Sequence, residues 1–337
     1  MNKTVAQRIK NIAIIGDGGW GTTLAIHLSK NGYSIRLWGP FADYVRFLDR
    51  YRINKRFLPG IKIPKKINIQ SDLGLTLKEA DLIVLAIPSK YVLNIIRQLK
   101  KFELSGKILL SVIKGIEESR LKTISQITYQ ELGDISLAVL SGPTIAIEVA
   151  QGIPSTAVIA SKSAGIAKKL QTVFHSETFR IYKNTDVLGV EFGGSIKNII
   201  AVACGVCDGL GYGSNTKAAI LTRGLIEMTK LGIAMGAKRQ TFYGLSGLGD
   251  LATTCMSPRS RNRSVGEQLG KGKTIDQITK SMDMVAEGVT TVKAIIKLSQ
   301  KHKVSMPITQ EVYNIIYQKK NPLQAVKDLM TRKLKSE

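Results

Sequence analysis

The fold is decided by the stretch Ile12-Ala13-Ile14-Ile15-Gly16-Asp17-Gly18-Gly19-Trp20-Gly21. Its four leading apolar residues lack polar alternation, which predicts a strand covered on both faces, as in a parallel sheet. Gly16, Gly18 and Gly21 follow in the spacing G-x-G-x-x-G, and a helical pattern runs from Trp20 to Lys30. The glycine pattern is weak by itself, but a strand before it and a helix after it are the context of a dinucleotide-binding turn.

Each glycine of this turn has a physical role in that interpretation. The first, Gly16, permits a tight turn, and the second, Gly18, lets the backbone approach a pyrophosphate. The third, Gly21, allows the helix to pack closely on the strand, and the helix N-terminus attracts the anion. We therefore expect a nicotinamide dinucleotide and hydride transfer; the alternative is a structural glycine-rich turn.

The end of the second strand bears on which dinucleotide is used. An Asp or Glu about 20 residues beyond the turn would bond the ribose hydroxyls of NAD. The strand ends Arg36-Leu37-Trp38-Gly39-Pro40, which contains no acid. Because an acid would repel a 2′-phosphate, its absence makes NADP tolerable, and Arg36 and Arg46 are the nearest cations. We predict use of NADP(H), alongside NAD(H).

The rest of the chain predicts two domains. Apolar strand-like runs occur at 12–15, 34–38, 81–87, 107–113 and 137–140, with shorter ones at 156–160 and 179–182. Helical periodicity dominates later, over 189–207, 215–235, 262–270, 288–302, 309–318 and 322–333. The pattern predicts an α/β fold, in which a doubly wound Rossmann-type sheet (residues 1–187) is followed by an all-α domain (residues 188–337).

Composition narrows the class of protein. The 49 basic and 25 acidic residues give a net charge of +24, but the basic residues are spread along the chain, so we interpret them as a solvated surface and expect no nucleic-acid partner. Cys204, Cys207 and Cys255 are too few for a disulfide framework, and we interpret them as buried thiols without a metal. No apolar run reaches about 18 residues, so we expect no membrane span and a cytoplasmic location.

The candidate for acid/base chemistry is Lys197. It lies in Gly193-Gly194-Ser195-Ile196-Lys197-Asn198-Ile199-Ile200-Ala201, a predicted helix of small and apolar residues. A lysine on a buried helix is costly unless it has a function or a partner, and burial lowers its pKa toward neutrality. The alternative is a lysine that extends from a helix edge to solvent.

Other segments suggest a phosphate site and two loops. Ser260-Arg261-Asn262-Arg263 opens a predicted helix, where arginine and free backbone N–H groups would bind phosphate; an ordinary basic helix cap is the alternative. Lys114-Gly115 and Ser141 to Ala146 follow predicted strands, where open sheets place their ligands, although each could be a structural turn.

Taken together, these segments resemble the NAD(P)-dependent glycerol-3-phosphate dehydrogenase family, in its bacterial form. The likeness runs from about Ile12 to Leu329. Its motifs are, in order, Gly16–Gly21, Lys114-Gly115, Ser141–Thr144, Gly194–Asn198, Gly247–Asp250 with Ser260–Arg263, and Val285–Gly288. The resemblance implies interconversion of dihydroxyacetone phosphate and sn-glycerol 3-phosphate, which supplies phospholipid synthesis. It also implies a helical domain similar to the C-terminal domain of 6-phosphogluconate dehydrogenase.

The resemblance also implies roles for individual residues. Lys197 would be the catalytic acid/base that protonates the ketone oxygen as hydride arrives at C2, Asp250 and Thr254 would orient it, and Arg261 with Asn262 would hold the phosphate. The implied substrate-binding residues are Lys114, Gly142, Thr144, Lys197, Asp250, Thr254, Ser260, Arg261 and Asn262. The implied cofactor-binding residues are Gly16, Gly18, Gly19, Trp20, Gly21, Lys114, Ala146, Arg261, Val285 and Glu287. The chain departs from relatives at Pro40, where a basic or polar residue is frequent.

Two other functions stay open from the sequence. A related two-domain dehydrogenase acting on a hydroxy acid would need no substrate phosphate. A non-catalytic nucleic-acid or regulatory binder is supported by the net charge and the basic end Arg332-Lys333-Leu334-Lys335. The small phosphorylated substrate is the expected partner, and base rates suggest a homodimer.

Overall fold

The computed structural model describes residues 9–282, 286–334 and 336. The chain divides into two compact units. We call the first the sheet unit; it contains the residues up to Ile113 together with Ile124–Val187. The second, the helical unit, contains Lys114–Thr123 and the residues from Leu188 onward. The segment Lys114–Thr123 belongs to the helical unit because Ile116 packs into its apolar core.

Ten strands lie in the described part of the sheet unit, residues 9–113 and 124–187. They are β1 (Asn11–Ile15), β2 (Ser34–Trp38), β3 (Ile53–Asn54), β4 (Leu58–Lys62), β5 (Asn68–Gln70), β6 (Leu82–Leu85), β7 (Ile108–Ser111), β8 (Ser136–Ser141), β9 (Ser155–Ala160) and β10 (Phe179–Asn184). Eight of them form one sheet in the order β10-β9-β8-β7-β6-β1-β2-β5, and β3 and β4 form a separate antiparallel pair. The predicted doubly wound, Rossmann-type sheet is confirmed.

The sheet is parallel except at one position. β1 pairs with β2 on one side and with β6 on the other, both in parallel register, and its apolar residues are buried on both faces. β9, in contrast, runs antiparallel to β8, because the short helix between them returns the chain to the edge where β8 ends. This reversal of direction, the β3–β4 pair and β5 were not predicted from the sequence.

Seven α-helices belong to the sheet unit as far as its residues are described. They are α1 (Gly19–Lys30), α2 (Ala42–Tyr51), α3 (Leu73–Leu77), α4 (Val92–Leu99), α5 (Ile124–Leu132), α6 (Ala146–Ala150) and α7 (Ala164–Phe174). The strand order reverses between β1 and β6, which is the place where open α/β sheets bind ligands. The loop from β1 into α1 lies at this point, so the fold puts Gly16–Gly21, hereafter the glycine turn, at the expected ligand position.

In the part of the helical unit that the structure describes there are nine helices. They are α8 (Val187–Gly209), α9 (Ser214–Ala234), α10 (Arg239–Phe242), α11 (Asp250–Met256), α12 (Arg261–Gly270), α13 (Ile275–Lys280), α14 (Glu287–Lys301), α15 (Pro307–Tyr317) and α16 (Pro322–Met330). A π-helical turn, Leu245–Gly249, precedes α11. The predicted all-α second half is confirmed, although α10, α11 and α13 were not predicted because they are short.

Helix α8 is the centre of the helical unit. Among the described residues it alone is long and apolar enough to cross a membrane by length and composition, with a mean hydropathy of 1.4, but 94% of that window is buried inside the protein. Its glycines let neighbours approach closely: a Cβ at Gly193 would overlap with the carbonyl of Ser246, and one at Gly205 with the carbonyl of Arg263. The π-helical turn and α12 therefore pack directly on the backbone of α8.

Candidate active site

Lys197 lies in the buried middle of α8, with only 5% of its surface exposed. Its Nζ donates hydrogen bonds to Oδ1 of Asp250 and, over 2.7 Å, to Oγ1 of Thr254. Asp250 begins α11 and Thr254 follows one turn later, so both side chains lie on the same face of that helix. The buried ammonium therefore has partners for its charge, which the alternative of a lysine reaching out to solvent does not provide.

The surroundings of Lys197 bring its pKa close to neutrality. Burial removes solvent from the ammonium and lowers its pKa from 10.5 to about 7, although the carboxylate of Asp250 acts in the opposite direction. The positive charge of Lys114 lowers it further. A lysine in this range can both give and take a proton near neutral pH, as an acid/base catalyst must.

Lys114 reaches the same carboxylate from a different segment. Its Nζ lies 2.8 Å from Oδ2 of Asp250, so that one carboxylate bridges two ammonium groups. We call Lys114, Lys197, Asp250 and Thr254 the lysine cluster. All four belong to the helical unit. With both lysines protonated the cluster carries one net positive charge, which suits an anionic substrate or an oxygen that gains negative charge.

A chain of amide hydrogen bonds fixes the segments around the lysine cluster. The Asn198 side chain donates from Nδ2 to the Lys114 carbonyl over 3.2 Å and accepts from Nδ2 of Asn262 over 2.9 Å. Oδ1 of Asn262 in turn accepts from the backbone N–H of Gly288 over 2.9 Å. Four segments that are distant in sequence are therefore held together. Asn198 was not among the predicted site residues. Its signal in the sequence is a polar residue directly after Lys197 on a buried helix.

The first turn of α12 contains the expected phosphate-binding residues. Ser260 is its N-cap, and the Ser260 hydroxyl accepts from the backbone N–H of Arg263 over 3.2 Å. Arg261 begins the helix; loss of solvent around its guanidinium lowers its pKa, and the carboxylate of Glu287 acts in the opposite direction. Arg263 is anchored instead, because its Nε donates to Oδ2 of Asp208 over 2.6 Å. Arg263 is therefore held by an acid of α8, whereas Arg261 stands at the N-terminus of α12, where an anion would bind.

The glycine turn has the features that a dinucleotide pyrophosphate requires. Gly16 has a φ of +125° and closes the turn, and a Cβ there would overlap with the carbonyl of Ala86. A Cβ at Gly18, in contrast, would meet no atom of the described chain within 4 Å, so internal packing does not require this glycine. Gly18 is the N-cap of α1, whose uncharged first turn leaves the backbone N–H groups open to an anion. These residues fit the phosphates of a nicotinamide dinucleotide.

Other expected ligand-binding residues of the sheet unit lie near the glycine turn or at the end of β8. Ala146 begins α6, and its carbonyl accepts from Oγ1 of Thr23 on α1 over 3.1 Å. Oγ1 of Thr144 donates to the carbonyl of Gly142 over 3.1 Å, just after β8. The Trp20 ring packs edge-on against the ring of Phe179, with ring centroids 6.4 Å apart. Val285 lies outside the described residues.

The cysteines are buried side chains of the helical core. Cys204, Cys207 and Cys255 are free thiols, and each is about 1% exposed. Burial raises the pKa of Cys207 to about 12, which keeps this thiol protonated and unreactive at neutral pH.

Family comparisons match both halves of the chain. A model described as the NAD-dependent glycerol-3-phosphate dehydrogenase N-terminus matches residues 11–167, and one described as its C-terminus matches residues 186–327. A relative from Prosthecochloris aestuarii, named as a glycerol-3-phosphate dehydrogenase of the NAD(P)+ type, is 45% identical over 97% of this chain and 99% of its own length. A relative of the same name from a Thermoanaerobacter species is also 45% identical, over 97% of this chain and 98% of its own length.

A solved structure agrees with these matches. The crystal structure of glycerol-3-phosphate dehydrogenase from Coxiella burnetii is 37% identical, covers 96% of this chain and 99% of its own, and superposes with a TM-score of 0.93. The chain therefore belongs to the NAD-dependent glycerol-3-phosphate dehydrogenase family.

Proposed function

We propose that this protein is an NAD(P)-dependent oxidoreductase that interconverts dihydroxyacetone phosphate and sn-glycerol 3-phosphate. The observation that carries the proposal is the lysine cluster, in which a buried lysine with a pKa of about 7 is held by a carboxylate and a hydroxyl. Family membership supplies the substrate class. The cofactor, when bound at the glycine turn, supplies or accepts the hydride.

Residues of the lysine cluster and of the first turn of α12 have separate tasks in this reaction. Protonated Lys197 gives its proton to the ketone oxygen of dihydroxyacetone phosphate during reduction, and neutral Lys197 removes the proton from the C2 hydroxyl of glycerol 3-phosphate during oxidation. Asp250 orients the ammonium and balances its charge, while Lys114 adds positive charge near the oxygen that becomes negative. Arg261 binds the phosphate at the start of α12, with Asn262 and Ser260 in the same turn.

Oxidation of NADH or NADPH, followed at 340 nm, tests the proposal with dihydroxyacetone phosphate as the substrate. Dihydroxyacetone without phosphate and a 2-keto acid are the matched comparisons. We expect rapid oxidation only with the phosphorylated ketone. Equal activity with unphosphorylated dihydroxyacetone would contradict the phosphate site, and activity only with the keto acid would favour the hydroxy-acid dehydrogenase alternative.

The wider role is part of the same proposal. We infer that the enzyme works in the cytoplasm as a homodimer and supplies glycerol 3-phosphate for phospholipid synthesis. Light scattering of the purified protein tests the dimer. Cell fractionation tests the location, and rescue of glycerol auxotrophy in a strain without its own enzyme tests the metabolic role.

A further inference from the structure

We propose that Asp17 is a specificity-determining residue that favours NAD(H) over NADP(H), because it places a carboxylate beside Gly39 at the end of β2. This inference rests on the proposed function and deepens it. It also narrows the expectation of NADP(H) use alongside NAD(H), which was drawn from the missing acid at the end of that strand. The acid is present in the tertiary structure, but it comes from the glycine turn.

The position of the carboxylate is set by its contact with Gly39. In dinucleotide-binding sheets, an acid at the end of the second strand holds the ribose hydroxyls of the adenosine. Here Gly39 directly follows β2, and a Cβ built on it would overlap with the Asp17 carboxyl group. The carboxyl group of Asp17 therefore fills the space in which a side chain at position 39 would begin.

The backbone of Asp17 is held in place by the antiparallel pair β3–β4. Asn54, which is fully buried on β3, donates from Nδ2 to the Asp17 carbonyl over 2.8 Å and to Oγ1 of Thr22 over 2.8 Å. The Thr22 hydroxyl donates to the same carbonyl over 3.2 Å. Tyr44 donates to Oδ1 of Asn54 over 2.7 Å and so fixes the amide orientation. The carboxyl group is therefore presented by a rigid turn.

One oxygen of the Asp17 carboxyl group has no hydrogen-bond partner among the described residues. The residue is only 7% exposed, and its Oδ2 is buried with no hydrogen-bond partner among the described residues. An unpartnered buried carboxylate oxygen is costly, and such exceptions need a reason. Burial raises the pKa of Asp17 to about 6 because it disfavours the ionised form. The carboxyl group is nevertheless ionised at pH 8. Among the described residues no cation pairs with the Asp17 carboxyl group, so its negative charge would act on a ligand at the end of β2.

The two cations nearest the end of β2 in sequence are engaged elsewhere. Arg36 forms an ion pair with Glu79, over 3.2 Å, and donates to the carbonyl of Lys78. Arg46 forms an ion pair with Asp43 on the exposed side of α2. A 2′-phosphate at the end of β2 would thus meet the Asp17 carboxylate, whereas both arginines already have acceptors. Repulsion between two anions at close range disfavours the phosphorylated cofactor.

The test is direct binding of NADH and NADPH by the purified full-length chain, followed by cofactor fluorescence at pH 8. We expect the native protein to bind NADH more tightly. Asp17→Asn, which keeps the shape and removes the charge, should increase the affinity for NADPH relative to NADH by about tenfold. Asp17→Ala, which adds no new donor, should change the ratio in the same direction. Asp134→Asn is the matched control. Asp134 is an exposed acid that precedes β8, so it lies at the opposite end of the strands from Gly39, which follows β2.

The outcomes separate this inference from the proposed function. An unchanged NADPH-to-NADH ratio in both Asp17 variants would overturn the inference, and so would an equal loss of affinity for both cofactors together with a lower Tm. If the ratio changes as expected but dihydroxyacetone phosphate is not reduced, the inference stands and the proposed function fails. If the native chain binds neither dinucleotide, both fail.

Discussion

The glycine turn and the lysine cluster are built in different ways. The glycine turn offers backbone N–H groups at the start of α1, while the N–H of Gly16 donates to the carbonyl of Trp38 and closes the turn, so its geometry follows mainly from one strand, one turn and one helix. The lysine cluster depends on side chains from three separate segments, around Lys114, Lys197 and Asp250. A backbone site tolerates few residue types but forms locally, whereas a side-chain site requires the whole helical unit to fold. Substitutions in the two regions should therefore differ in what they change.

The largest effect is expected at Lys197. Lys197→Met removes the proton donor and should reduce kcat for dihydroxyacetone phosphate by about 10³-fold, because general acid catalysis commonly contributes that much. Binding of NADH, measured by fluorescence, should remain. Lys230→Met, on the exposed surface of α9, is the control and should retain full activity. Native turnover in the Lys197 variant would contradict its catalytic role.

Arg261 should affect substrate binding rather than turnover. Arg261→Ala removes the solvent-accessible cation at the start of α12, and KM for dihydroxyacetone phosphate should rise by about 100-fold. Arg259→Ala, two residues earlier and also exposed, should leave KM near the native value. Steady-state kinetics over a range of substrate concentrations distinguish the two. A similar rise in both variants would indicate a diffuse electrostatic effect instead of a phosphate site.

A substitution at Gly18 in the glycine turn should change the affinity for the cofactor and leave the stability of the fold unchanged. Ala is compatible with the backbone of Gly18, and its methyl group would meet no protein atom, so Gly18→Ala should weaken dinucleotide binding on the order of tenfold with little change in Tm. Gly16→Ala should instead lower the free energy of unfolding by more than about 1 kcal/mol, because of its positive φ. Thermal unfolding and fluorescence titration separate the two effects, and a large loss of Tm in Gly18→Ala would refute the assignment.

The smallest effect concerns the pH dependence of the lysine cluster. Since reduction needs protonated Lys197, kcat/KM for dihydroxyacetone phosphate with NADH should fall as the pH rises through about 7, and the reverse oxidation should rise over the same interval. The charge of Asp250 raises the pKa of Lys197, so Asp250→Asn should move this break to lower pH. A break that stays in place in the variant would show that another group titrates.

Much of the fold could be predicted because it depends on local patterns. The strand–turn–helix around Gly16, the apolar strands and the long helices of the second half all have periodicity or composition of their own. The short helices α10, α11 and α13 were missed, since segments of four to seven residues carry too little periodic signal. The strand at β9 was predicted, but its antiparallel direction was not, because strand direction depends on where the chain returns, which its residues do not encode locally.

The sequence by itself determined the type of cofactor, the helical character of the second half and the chemical types of the candidate residues. The glycine spacing, the lysine in an apolar helix and the Ser-Arg-Asn helix start are all visible in short windows. Only the tertiary structure decided that Asp250 bridges Lys114 and Lys197, and that the Asp17 carboxyl group lies beside Gly39. These pairs are separated by 22 to 136 positions, and the burial and nearby charge that shift the pKa of Lys197, and the burial that shifts the pKa of Asp17, exist only once the chain has packed.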